Sequence, residues 1–128
     1  PNELIEAIRV RVADGPQEFL KVGTRNAMVI SVVSLAMVVD VSSCRVRVGL
    51  GAVSPVPQRA TEAEEFIDRL VDWDHPGPLD ARTCDQFADL VVTAASPIDD
   101  HRGSAAYRRH ALGVLGRRAL VRCFGEEN

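Results

Sequence analysis

The sequence predicts an α+β fold, a three-stranded antiparallel sheet packed against a three-helix bundle. Three observations carry this prediction. Strand-like patterns fill the first part of the chain and helical patterns the rest, and such segregated runs give a sheet with helices on one face. The stretch Cys44 to Val53 alternates apolar with polar or small residues, so Val46, Val48 and Leu50 share one face. Apolar residues recur at helical spacing after Thr61, within segments bounded by prolines and glycines.

From the N-terminal end, Ile8, Val10 and Val12 alternate with polar residues and predict a half-buried strand. Asp14-Gly15-Pro16 is a turn. Phe19 to Gly23 is a short extended segment, and Thr24 to Asn26 forms a polar bend. Met28 to Val41 is almost continuously apolar and rich in β-branched residues, which favour a pleated surface. Small residues in and beside it (Ser31, Ser34, Ala36) imply close packing on the other face. Ser42-Ser43 turns the chain into the Cys44–Val53 strand, which makes an antiparallel hairpin. Gly49 and Gly51 leave room for a backbone or ring to approach that strand. Ser54-Pro55-Val56-Pro57 ends the sheet.

Thr61 and Glu64 have capping-box spacing. Ala63, Phe66, Ile67, Leu70 and Val71 then mark the first helix. Asp72 to Pro78 is a loop holding the only tryptophan, Trp73. A second helix is expected from about Leu79 to Ala95, with Cys84, Phe87, Ala88, Val91 and Ala95 inward. Ser104 caps the third, which runs to about Phe124 with Tyr107, Ala111, Val114, Leu115 and Ala119 inward. No repeat or long linker interrupts the order.

At 128 residues the chain is about one domain with a true core. Its net charge of -3 gives no reason to expect nucleic acid or an anionic membrane as partner. The longest apolar run is too short and too interrupted for a membrane span. Nothing at the start has the pattern of a signal peptide. Pro1 is consistent with removal of an initiator methionine or with a cut from a longer chain. Cys44, Cys84 and Cys123 stand far apart with no metal spacing, so they read as reduced thiols of a cytoplasmic protein, and no metal ligand is assigned.

No catalytic signature is present, and no catalytic residue is assigned. Asp99-Asp100 beside His101-Arg102 have the composition of an acid–base site. They also precede a helix, where acids favour the positive end of its dipole, and the structural reading is preferred. Arg108 and Arg109 are expected to point away from the core, as a basic surface patch. His75 and His110 read as a surface and a helix-flank histidine. The position that stands out is Lys21, the only lysine beside fourteen arginines. A compact ammonium and a flat guanidinium are not interchangeable at a site.

Several stretches together carry a resemblance. They are Phe19-x-Lys21-x-x-x-Arg25-Asn26-Ala27-Met28-x-Ile30, the Val32–Val39 strand, Val48-Gly49-Leu50-Gly51-Ala52-Val53-Ser54-Pro55, and the helix from Thr61. The last is Ala95-Ser96-Pro97-Ile98-Asp99-Asp100-x-Arg102-Gly103-Ser104-Ala105-x-Tyr107-Arg108-Arg109-His110. In this order and spacing the chain, from about Gln17 to Phe124, resembles the C-terminal domain of the FAD-binding medium subunit of molybdenum hydroxylases. That family includes carbon monoxide dehydrogenase and xanthine dehydrogenase. Residues 1–14 resemble the strand that leaves the preceding FAD-binding domain, and 15–128 the C-terminal domain itself.

The resemblance implies the same fold and a role in electron transfer through FAD. It implies that Lys21 and Arg25 face the isoalloxazine ring as cofactor-binding residues. It implies an FAD-binding domain or chain as partner, with molybdopterin and iron–sulfur subunits beyond it. The glycine loops that hold the FAD phosphates belong to the preceding domain, so FAD is expected to be shared with that domain and not held by this chain alone. The stretch departs from the family's pattern at Val29, where an acidic residue is frequent. The substrate, chosen in that family by the molybdenum subunit, is left open. The alternative is a stand-alone, repurposed domain. It would bind, isomerise or cyclise a small molecule near Lys21, Gly49 and Gly51, or act as an assembly module that forms a homodimer through a sheet edge.

Overall fold

The computed structural model describes residues 3–26 and 28–125. The expectations that touch Pro1, Ala27 and the last three residues lie outside the described residues. Strands β1 (Gln17–Val22), β2 (Val33–Asp40), β3 (Arg45–Gly51) and β4 (Gln58–Arg59) precede helices α1 (Thr61–Asp68), α2 (Ala81–Thr93) and α3 (Ala105–Phe124). The α+β class and the order of strands before helices are as predicted.

The sheet is antiparallel in the order β1-β2-β3-β4. It has four strands instead of three. Gln58 and Arg59, past the prolines that were expected to end the sheet, return to pair with Leu50 and Gly49. The amide of Ala60 then donates to Val48 O at 3.1 Å. A short edge strand satisfies β3 backbone groups that would otherwise lack partners.

Register fixes the two faces. Leu20, Leu35 and Leu50 align on the inner face, and Lys21, Ser34 and Gly51 on the outer one. On the inner face Val33, Leu35, Met37, Val39, Val46, Val48 and Leu50 are buried, packed against Ile67, Phe87, Val91, Leu112, Leu115 and Leu120. The β2–β3 hairpin turns through 3-10 helix at Val41–Ser43. Asp40 accepts the Ser42 hydroxyl at 2.9 Å and the Ser43 amide at 3.3 Å.

Residues 3–13 form no strand, contrary to the alternation of Ile8, Val10 and Val12, and Val10 is 80% exposed. Alternation yields a strand only where a neighbouring ladder pairs its backbone, and none lies beside this segment among the described residues. It is tied to the domain by Arg11, which pairs with Asp40, and by Asp14, which accepts the Ser42 amide at 3.3 Å.

The capping box at Thr61 is not formed. Thr61 is already helical, Ala60 stands at the cap, and no side chain caps it. Glu64 instead turns to the sheet, where a buried amide of β3 demands an acceptor more strongly than an exposed helix end. α1 stops at Asp68, so Leu70 lies beyond it and is exposed, while Val71 is buried. Asp80 caps α2 by accepting the Thr83 amide at 2.9 Å. Cys84, Phe87, Ala88 and Val91 face inward as expected, and Ala95 lies past the helix end. Ser104 caps α3 at 3.1 Å from the Tyr107 amide.

The inward stripe of α3 differs from expectation by one position. Tyr107 is 47% exposed and Val114 is exposed, whereas Arg108 is only 4% exposed. The stripe is Arg108, Ala111, Leu112, Leu115, Gly116, Ala119, Leu120 and Phe124. Small residues at Ala111, Gly116 and Ala119 allow α3 to lie close to α2, with Val91 against Gly116.

Candidate functional site

The candidate site is built on the loop between β1 and β2. The amide of Val32 donates to Val22 O at 2.8 Å, which closes the loop at its base. The Val29 side chain fills the space that a side chain at Gly23 would take, so the loop folds down on itself. Lys21 projects from the outer face of β1, and its Nζ donates to Val29 O at 3.2 Å. An ammonium has three hydrogens to donate. One is used, and the other two have no partner among the described residues. Arg25 stands exposed at the crown of the loop.

The structure brings the two predicted site residues together. Lys21 and Arg25, with Val22, Gly23 and Asn26, line one concavity of about 440 Å³. Arg25 also borders a second concavity of about 430 Å³, with Thr24, Met28, Val29, Ile30, His101 and Arg102 around it. No carboxylate lines either space, so both offer positive charge. Met28 at the rim is 95% exposed.

The two glycines of β3 behave differently. Ser34 Oγ occupies the space that a side chain at Gly51 would take, whereas a side chain at Gly49 would meet nothing within 4 Å. A side chain at Gly51 would thus make Ser34 give up its present position. Gly49 leaves an open trough between Phe19 and Arg59, with which it shares a row of the outer face.

The acidic pair before α3 is structural. Asp99 accepts the Ala105 amide at 2.5 Å. Asp100 Oδ1 accepts the amides of Arg102 at 2.8 Å and Gly103 at 3.2 Å, and the Arg108 guanidinium at 2.6 Å. The Arg102 amide, foremost, and Arg108 hold the Asp100 carboxyl below the usual carboxylate range. His75 and His110 are exposed, as expected.

Arg108 is the residue that sequence reasoning missed. Besides Asp100, its guanidinium donates to Val32 O at 2.8 Å and Ala52 O at 2.6 Å. The signal was its place one and two turns before Leu112 and Leu115 on the same helical stripe. Among the described residues no cluster of three His, Cys, Asp or Glu side chains is placed to hold a metal ion. No helix in the described residues is long and apolar enough to cross a membrane.

Comparison with known proteins places this geometry in a family. The family described as CO dehydrogenase flavoprotein C-terminal domain matches residues 18–123. The glyceraldehyde dehydrogenase medium chain of Sulfolobus acidocaldarius is 29% identical over 122 residues, which is 93% of this chain and 41% of that protein. The chain thus spans less than half the length of this relative. Among solved structures, a reconstituted CO dehydrogenase from Oligotropha carboxidovorans superimposes with a TM-score of 0.68 at 27% identity, over 84% of this chain and 36% of the other. The CO dehydrogenase of Hydrogenophaga pseudoflava shares the fold, with a TM-score of 0.70 at 21% identity over 88% of this chain and 38% of the other. So does quinoline 2-oxidoreductase from Pseudomonas putida, with a TM-score of 0.65 at 21% identity over 84% of this chain and 36% of the other. On the match that covers most of its length, the chain belongs to the CO dehydrogenase flavoprotein C-terminal domain family.

Proposed function

We propose that this chain is the C-terminal portion of the flavoprotein component of a molybdenum-hydroxylase-type oxidoreductase, and that Lys21 and Arg25 form one wall of its FAD site. The observation that carries the reading is their convergence. Two cations with no carboxylate beside them border one open concavity, in a domain of a flavoprotein family.

The donor set fits the ring end of FAD. Lys21 is held by Val29 O and has hydrogens free to donate, so its charge stands at a fixed place. A fixed cation stabilises negative charge at the N1 and C2 carbonyl edge of a flavin with little reorganisation. Arg25 adds a planar fork at the rim. FAD, when bound, supplies the electron-carrying ring. The phosphate end has no such fit: glycine-rich backbone nests suit phosphates, and the concavity beside Lys21 has only Gly23. The phosphates are therefore assigned to a second domain.

Residues 3–13 support the same division. Their alternating apolar side chains find no ladder here, which suits the last strand of a neighbouring FAD-binding domain, with 15–128 as the C-terminal domain. The partners are then that domain and, in the assembled enzyme, subunits carrying molybdopterin and iron–sulfur clusters. Three cysteines outside any disulfide accord with a cytoplasmic setting.

The test is reconstitution. An FAD-binding partner is mixed with this chain, gel-filtered, and its retained flavin measured by absorbance. The reading expects more flavin retained with the chain than without it. Equal retention contradicts it.

A further inference from the structure

We propose that Arg108 is the positioning residue of the flavin-facing wall, acting through Val32 on Lys21 and through Asp100 on the loop beside Arg25. The inference rests on the flavin reading above and assigns the side chain that sets its geometry.

A buried guanidinium on α3 gathers three loops. Its bond to Val32 O holds the returning end of the β1–β2 loop, 76 residues away in sequence. The amide of that same Val32 holds Val22 O, next to Lys21. The grip of Arg108 therefore passes through one residue, Val32, to the end of the lysine's strand. Its bond to Asp100 fixes the turn that carries His101 and Arg102, which line the same concavity as Arg25. Gly103 lies against Val32 closely enough that a side chain there would meet Val32 Cγ1 at 3.2 Å, so this turn and the loop end are in direct register.

The third bond, to Ala52 O, shows that the arrangement is over-determined. Ala52 is held at φ 62, in the left-handed region that an alanine adopts only at a cost. That conformation is found where the Ala52 carbonyl meets the guanidinium at 2.6 Å. Arg108 is 4% exposed, and its guanidinium is engaged by Asp100 and by the carbonyls of Val32, Ala52 and, at 3.5 Å, Gly103, so it acts by holding these loops. A planar fork spans these acceptors at once, and an ammonium does not.

The experiment uses the flavoprotein that carries this domain together with its FAD-binding part. Arg108→Lys, Lys21→Met and the double variant are compared by FAD dissociation constant, absorption bands of bound flavin, and Tm. Arg108→Lys is expected to weaken FAD binding by roughly tenfold, the lower end of what losing the orienting partner of a metal ligand costs. It is expected to shift the flavin bands in the same sense as Lys21→Met. The double variant is expected to lose clearly less than the sum of the two single losses, because the tie through Val32 acts on the same ammonium that Lys21→Met removes. A merely structural role would lower Tm and leave the flavin bands of the folded fraction unmoved, or give additive losses; either result overturns the inference. If Arg108→Lys does not fold, Asp100→Asn is paired with Arg25→Met in a second cycle, since it loosens the tie to the loop beside Arg25 and keeps the carbonyl bonds of Arg108; additive losses there overturn the inference. Should Lys21→Met itself leave flavin binding unchanged, the flavin reading fails and the inference with it. If Lys21→Met weakens binding while Arg108→Lys does not, the inference alone falls.

Discussion

The carboxylate of Glu64 on α1 accepts the backbone amide of Val48 on β3 at 2.8 Å. Both residues are buried, and Arg59 on β4 closes the group by pairing with the same carboxylate. One side chain thereby joins the first helix to the sheet. Glu64→Ala leaves a buried amide without a partner, and the expected loss is about 1–3 kcal/mol of stability. Glu64→Gln keeps an acceptor oxygen and is expected to lose less. Arg59→Ala is expected to cost less than Glu64→Ala, because the Val48 amide keeps its acceptor and the Arg59 side chain is about half exposed, so water can take its place at the carboxylate. Urea denaturation midpoints rank the three, and a larger loss in Arg59→Ala than in Glu64→Ala would contradict the assignment.

The two glycines of β3 separate a packing need from an open surface. Gly51→Ala places a methyl where Ser34 Oγ lies, and overpacking of this kind costs about 1–3 kcal/mol. Adding Ser34→Ala is expected to recover much of that loss, because the two residues share the space. Gly49→Ala meets no neighbour and is expected to be neutral, or stabilising by roughly 0.5–1 kcal/mol. Thermal melts of the three variants check the pattern.

Acid stability follows from two carboxylates. Hydrogen bonds from Ser43 and Ser42, with Arg11 adding less, hold the Asp40 carboxyl down to about 2 from its ordinary 3.8. Asp100 is lowered as well, chiefly by the Arg102 amide. A carboxyl lowered in the folded state contributes stability that is present above its ordinary value and lost as pH falls through the folded one. Tm is therefore expected to fall between about pH 4 and pH 2. Asp40→Asn is expected to lower Tm at neutral pH and to flatten its fall in acid. A variant whose acid slope matches the parent's would remove Asp40 from this account.

The thiols differ in reach. Burial, and secondarily the charge of Glu18, raise the Cys123 thiol to about 11. Cys44 is exposed and Cys84 buried. Since the thiolate is the nucleophile, iodoacetamide at neutral to mildly alkaline pH is expected to modify Cys44 first, Cys123 slowly, and Cys84 only on unfolding. Peptide mass spectrometry over time reads the order.

The parts of this molecule that depend on local pattern were legible in the sequence. Val46, Val48 and Leu50 declared a strand face, Ser104 a helix cap, and Asp99 and Asp100 a helix start. Lys21 was marked by composition, Lys21 and Arg25 together by resemblance, and the fold sets them on one concavity. What was not legible depends on distant partners. Arg108 was read as surface because its acceptors, Val32 O and Ala52 O, lie 76 and 56 residues away. Glu64 was read as a capping residue because a buried amide on β3 competes for it only once the sheet exists. The segment around Val10 has strand periodicity, but a strand needs a neighbour that no pattern within the segment supplies.

The central claim is that Lys21 and Arg25 face the flavin. The most direct measurement is a crystal structure of the FAD-loaded flavoprotein carrying this domain. The account expects Lys21 Nζ within about 3.5 Å of the N1 or C2 carbonyl edge of the ring, at hydrogen-bond reach, with Arg25 at the same rim. A ring bound on another face, with Lys21 still donating only to Val29 O and open to solvent, would contradict it.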